Sequence, residues 1–183
     1  MIDIVDEAPV HVGAREALLD LSFGEERFTK TSERLREGRL PVFAFAALDE
    51  SGKLVGTVRL WSVADRNGFQ SLLLGPLAVD PACRGSKVGD RLMRHALNQA
   101  ALHGHGSVIL VGDLPYYARF GFEAGLLDDV SLPGPVAYER FLAVEFAPGH
   151  VAGLDGVLSA AGLMDLAAPA ATSEDLFAVS KLA

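Results

Sequence analysis

Two short runs carry the residue types that do chemistry: Arg84-Gly85-Ser86-Lys87-Val88-Gly89 and, further on, Asp113-Leu114-Pro115-Tyr116-Tyr117. The first sets two cations and two glycines immediately before a long amphipathic stretch. Glycine lets the main chain turn so that N–H groups point outward. The start of a helix leaves further N–H groups unpaired and carries partial positive charge. Together they form a site for a phosphorylated ligand. The second run places a carboxylate and two phenols just past an apolar segment, Ser107 to Val111. A phenol can give up a proton and a carboxylate can accept one. The expected chemistry is therefore a reaction on a phosphate-bearing cofactor held where the amphipathic stretch begins.

The elements that must position these groups follow from periodicity. Ile2 to Val5 reads as a short first strand, and Pro9 opens a helical stretch through about Leu21. A second, strongly charged helix is expected over Thr31 to Glu37, stopped by Gly38 and facing solvent. Val42 to Leu48, Leu54 to Val63 and Phe69 to Val79 read as an antiparallel meander, joined by turns at Asp49-Glu50-Ser51-Gly52 and Asp65-Arg66-Asn67-Gly68. Gly75-Pro76 predicts an interruption of the third strand, because proline cannot donate a ladder hydrogen bond. From Val88 to His103, the residues Val88, Leu92, Met93, Ala96, Leu97 and Ala100 share one helical face. A strand at Ser107 to Val111 after that helix implies a parallel pair with a right-handed crossover. Phe141 to Phe146 is a last strand candidate. The tail from Pro148 is weakly patterned, with Thr172-Ser173-Glu174-Asp175 able to cap a short helix through Lys181.

A chain of 183 residues, half of them apolar, is long enough to bury one full core. Its net charge of −8 argues against nucleic acid as a partner. Cys83 is the only cysteine, so no intrachain disulfide can form. The N-terminal residues show no basic region leading into an apolar run, and nothing approaches a membrane span of about 18 apolar residues. A cytoplasmic location is the expectation. The five histidines lack metal-ligand spacing, and no metal site is expected.

The segment from Leu72 to Phe122, with its Val-Gly-Asp and Tyr-Tyr-Ala-Arg-Phe-Gly-Phe signatures, resembles the GNAT superfamily of acetyl-CoA-dependent N-acetyltransferases. The likeness is weaker over Val42 to Val63 and at LPGPVAYERFLAVEF. It implies an α/β fold: a mixed, mostly antiparallel sheet of six or seven strands, flanked by helices and splayed at its parallel pair. The domain would span 1–147, leaving 148–183 as a tail that packs on the domain, contacts a second copy in a homodimer or stays free.

The resemblance further implies that Arg84, Gly85, Ser86, Lys87, Val88 and Gly89 hold the acetyl-CoA pyrophosphate. Lys87 stands where that family's pattern usually has glycine, a position that suits lysine if its backbone angles stay negative. Leu77, Ala78 and Val79 would exchange main-chain hydrogen bonds with the pantetheine arm, although burial alone explains their apolar side chains equally well. Tyr117 matches the tyrosine that protonates the leaving CoA thiolate; packing is the alternative role for both tyrosines. Asp113 either binds the acceptor and relays its proton or caps the turn around Tyr116. Glu25 and Glu26 lie where the family builds its acceptor wall, although a solvated acidic face explains them better. The implied reaction is acetyl transfer to a primary amine, on a small molecule or a peptide. A non-catalytic acyl-CoA-binding sensor is the alternative.

Overall fold

The computed structural model describes residues 1–167. In chain order they form β1 (Asp3–Asp6), α1 (Val12–Phe23), β2 (Phe43–Leu48), β3 (Leu54–Ala64), β4 (Gln70–Val79), α2 (Val88–Leu102), β5 (Ser107–Val111), α3 (Leu114–Tyr117), β6 (Glu123–Ala124), β7 (Val130–Ser131), β8 (Phe141–Glu145), β9 (Gly156–Val157) and β10 (Ser159–Ala160). The main sheet runs β1-β2-β3-β4-β5-β8-β6, with β10 added alongside β3. Among the described residues its only parallel pair is β4–β5. Seven strands lie on the main path; the eighth comes from the tail, where Ser159 and Ala160 pair with Ala64 and Val63. Buried Val151, Leu154 and Leu158 hold residues 148–167 against the same body. The helix expected near Thr172 lies outside the described residues.

Alternation along the strands sorts the core into two faces. On one, α2 buries the six residues that share its apolar stripe, Val88, Leu92, Met93, Ala96, Leu97 and Ala100. They meet Phe45, Val58, Leu60, Leu72, Leu110, Phe122 and Leu142. On the other face Leu18 and Leu19 of α1 cover Ala46 and Ala78, while Leu35 packs near Leu73, Ile109 and Phe141.

The expected helix at Thr31 to Glu37 is instead a 3-10 turn over Thr31–Leu35, and it does not simply face solvent. Ser32 and Leu35 are buried, and the Arg36 side chain is only 11% exposed. Thr31 Oγ1 donates to the Pro135 carbonyl at 2.8 Å and Arg34 Nη1 to the Pro133 carbonyl at 2.7 Å. These tertiary bonds hold the segment against the far end of the chain, overriding its local helical pattern.

The sheet opens at one place. β4 and β5 pair only at Leu72–Val108 and Leu73–Ile109. Beyond that point Leu60 faces Leu74 and Val58 faces Leu77, so Gly75 and Pro76 together oppose Arg59 alone. The extra residue is the interruption expected from the sequence, and such a bulge bends its strand away from the partner. Trp61 Nε1 donates to the Gly75 carbonyl at 2.7 Å and pins the bend. A cleft therefore forms between the C-terminal halves of β4 and β5.

Candidate active site

The first wall of the cleft is a free strand edge. Asp80 N–H donates to the Val55 carbonyl at 2.8 Å, so by the two-residue alternation Ala78 also turns its main chain toward β3. Leu77 and Val79 turn theirs toward the cleft. Of the three residues expected along a ligand arm, those two have main-chain groups on the open side. Ala78, 4% exposed, is a core residue.

At the end of β4, Pro81–Cys83 forms a 3-10 turn capped by Asp80. The Arg84 and Ser86 amides are spent inside this loop, on the carbonyls of Pro81 and Cys83. The amides of Gly85, Lys87, Val88 and Gly89 have no acceptor among the described residues. Gly85 has φ +87°, and Lys87 has φ +59° and ψ +21°, the left-handed conformation. The negative backbone angles expected of Lys87 are therefore corrected: it adopts the geometry of the glycine it replaces, at a cost of roughly 1 kcal/mol. The turn delivers a cluster of outward N–H groups to the start of α2, flanked by the exposed cations Arg84 and Lys87. These residues fit a diphosphate.

Lys87→Gly is expected to raise stability by about 1 kcal/mol, or about 2–4 °C in Tm. Losing the ammonium should weaken binding of a diphosphate ligand several-fold at low salt. Thermal denaturation and calorimetry at two ionic strengths read both effects.

The two tyrosines separate. A β-carbon added to Gly89 would lie 2.9 Å from the Tyr116 hydroxyl, so Tyr116 reaches the first turn of α2. Arg119 stacks over its ring at 4.3 Å. Tyr117 instead lines a cavity of about 630 Å³ that continues from the cleft. Its ring is edge-on to Phe122, with centroids 5.9 Å apart, and its hydroxyl makes no hydrogen bond among the described residues. Burial, reinforced by Tyr116 and Asp113, pushes the Tyr117 phenol up to about 12. Gly112 makes this placement possible, because any β-carbon there would collide with the Tyr117 ring.

Asp113 sits at the start of α3. Its carbonyl accepts from the Tyr116 and Tyr117 amides at 3.0 and 3.2 Å, but its carboxylate makes no capping bond. That carboxylate, 75% exposed, meets Arg140 Nε at 3.1 Å on the cavity rim. Glu25 and Glu26 do not line the cavity. The segment after them does: Arg27, Thr29, Lys30, Glu33 and Arg36 form one side, facing Gly75, Pro76, Leu77 and Tyr117. Glu33 and Arg36 had no local signal, lying in a stretch whose pattern reads as a solvated helix face. Among the described residues no cluster of His, Cys, Asp or Glu is placed to hold a metal, and no helix is long and apolar enough to cross a membrane.

Residues 42–124 match the family model described as acetyltransferase (GNAT) domain. Residues 42–124 carry the GNAT acetyltransferase domain. The match runs from β2 to β6 and so includes the bulge, the amide loop, α2 and both tyrosines. The uncharacterized N-acetyltransferase YhbS of Escherichia coli K12 is 29% identical over 154 residues, covering 83% of this chain and 92% of that one. A crystal structure of E. coli YhbS in complex with CoA superposes with a TM-score of 0.76 at 27% identity, over 87% of this chain and 89% of the other. A GNAT acetyltransferase from Brucella melitensis in complex with acetyl-CoA gives 0.61 at 25% identity, over 81% and 90%. The cavity wall from Arg27 to Arg36 and the strip Leu132 to Arg140 fall outside the matched GNAT span.

Proposed function

We propose that the protein transfers the acetyl group of acetyl-CoA directly to a primary amine bound in the cavity beside Tyr117. The support is one coincidence of geometry: Leu77 on the free edge of β4 and Tyr117 line the same cavity, and that strand runs on into the turn whose amides at Gly85–Gly89 are unpaired. Acetyl-CoA supplies an acyl thioester. Amides of Gly85, Lys87, Val88 and Gly89 hold its diphosphate, with Arg84 and Lys87 beside it and Ser86 shaping the turn. Leu77 and Val79 align the pantetheine arm, and Ala78 fixes that strand in the core.

The amine nitrogen attacks the carbonyl carbon. A C–N bond forms, the C–S bond breaks, the nitrogen loses a proton and the sulfur gains one from Tyr117 Oη. Aligning both reactants in the cleft removes a large entropic cost. Water at the cavity mouth takes the amine's proton and returns one to the Tyr117 phenolate; Glu33 and Asp113 are the carboxylates that line the cavity. Asp113 acts by holding Arg140 on the rim. An exposed ion pair of this kind contributes little, so Asp113→Asn is expected to change kcat/KM by less than about tenfold.

Walls from Thr29–Arg36 and Pro135–Ala137 favour a small molecule over a protein acceptor. Free CoA release is the test, measured over a panel of amines with acetyl-CoA and propionyl-CoA, alongside calorimetry of CoA binding. Turnover on some amine is expected. Folded protein that binds CoA tightly and turns over none of them would reverse the proposal.

A further inference from the structure

We infer that Arg36 is the binding site for a carboxylate on the acceptor, so that the amine taken is a free amino acid or a close relative bearing its carboxylate a few bonds from the nitrogen. The inference rests on the acetyl-transfer reading and specifies which amine enters.

Among the described residues Arg36 is the one buried cation of the cavity whose fork is left open. Arg27 is engaged by Glu16 and Asp20. Arg140 is engaged by Asp113 at 3.1 Å. Lys30 lies over the Phe23 ring, 4.8 Å from its centroid. Arg36 has a single polar contact, Nη1 to Glu33 Oε2 at 3.4 Å, which is long for a charged hydrogen bond. Its Nε is buried with no partner, one of only two such side-chain atoms among the described residues. A guanidinium presents five N–H donors in a rigid fork that matches a carboxylate edge, and it stays charged at neutral pH. A buried cation so poorly compensated is costly, and a ligand anion offsets that cost on arrival.

The position of the fork limits the ligand. Arg36 Nη2 lies 3.1 Å from where a β-carbon on Gly75 would stand, directly over the bulge that opens the cleft. A carboxylate held there shares one cavity of about 630 Å³ with Tyr117, so an amine joined to it by a few bonds stays inside that cavity. The lining also selects against other amines. Arg27, Lys30, Arg36 and Arg140 outnumber Glu33 and Asp113, although the whole chain carries −8. A polyamine or aminoglycoside would set its remaining ammonium groups against this wall. One open guanidinium suits the single negative charge of a carboxylate better than a phosphate.

The test compares glycine, alanine, leucine, methionine, phenylalanine and glutamate with their carboxamides and decarboxylated amines. Each is assayed for CoA release, and the N-acetylated acids and their amides are titrated into CoA-saturated protein. At least one acid is expected to exceed its carboxamide in kcat/KM by about 10- to 100-fold, the range of a charge-assisted contact. Its N-acetyl form should bind where the amide does not. In Arg36→Gln that ratio should collapse toward one, and Arg36→Lys should fall between, since it keeps charge without the fork. Acids and amides used or bound alike by the wild type would overturn the assignment, even with both variants unfolded. Turnover of carboxylate-free amines alone would overturn it and leave acetyl transfer standing. Binding of the N-acetyl acids with no turnover of any amine would support the subsite and reverse the catalytic reading.

Discussion

Tyr117→Phe is expected to lower kcat by about 100-fold or more while CoA affinity stays within about twofold of wild type. Without the hydroxyl, the sulfur must leave as a free thiolate or wait for water, in a cleft that otherwise screens it. The replacement keeps the ring and therefore keeps the contacts with Phe122 and Tyr116. The pH profile sharpens the test. Burial holds the phenol at about 12, so it remains protonated throughout the range in which amines lose their protons. Activity should rise with pH as the neutral amine appears, with no descending limb below about pH 10. A descending limb near neutrality would assign the proton to another group. Full activity in the variant would remove Tyr117 from the chemistry. A sensor domain would show no turnover to lose.

The contrast between the two sides of the cleft explains what could be read in the sequence. The proposed donor side is local. The apolar stripe from Val88 to Ala100 names the buried face of α2 residue by residue, and Gly75-Pro76 marks the bulge because proline removes a ladder donor. The amide loop and the tyrosines lie within a few residues of the elements that position them. The proposed acceptor side is assembled across long separations. Arg36 is buried because Thr31 and Arg34 bond to carbonyls at Pro135 and Pro133, about a hundred residues away, and no periodic pattern in TSERLREG carries that information. Read alone, its charges describe a solvated helix. The left-handed turn at Lys87 was hidden for a related reason: the residue type disfavours the conformation that the surrounding loop imposes. Pairing of Ser159–Ala160 with β3 likewise depends on an edge that only the folded sheet presents.

Phe122→Ala should have the largest effect on stability, because this side chain serves the core and the tyrosine at once. Phe122 is 1% exposed and shares a cluster with Leu92, Met93, Val108, Leu110 and Leu142. Truncating such a ring costs about 3–5 kcal/mol in lost burial and residual cavity. For a chain of 183 residues that corresponds to a fall in Tm of about 6–20 °C. Thermal and urea denaturation measure it directly, and an unchanged midpoint would remove Phe122 from the core. Kinetics below the new midpoint ask a second question. Phe122 forms one wall for the Tyr117 ring, while Gly112 leaves room on another. With that wall gone the ring gains freedom, so kcat should fall in the folded enzyme while the CoA site proposed at the main-chain amides keeps its affinity. Phe122→Leu retains most of the volume and should fall between Ala and wild type on both measures. A stability loss with undiminished kcat would mean that Gly112 and α3 align the phenol without help from the core.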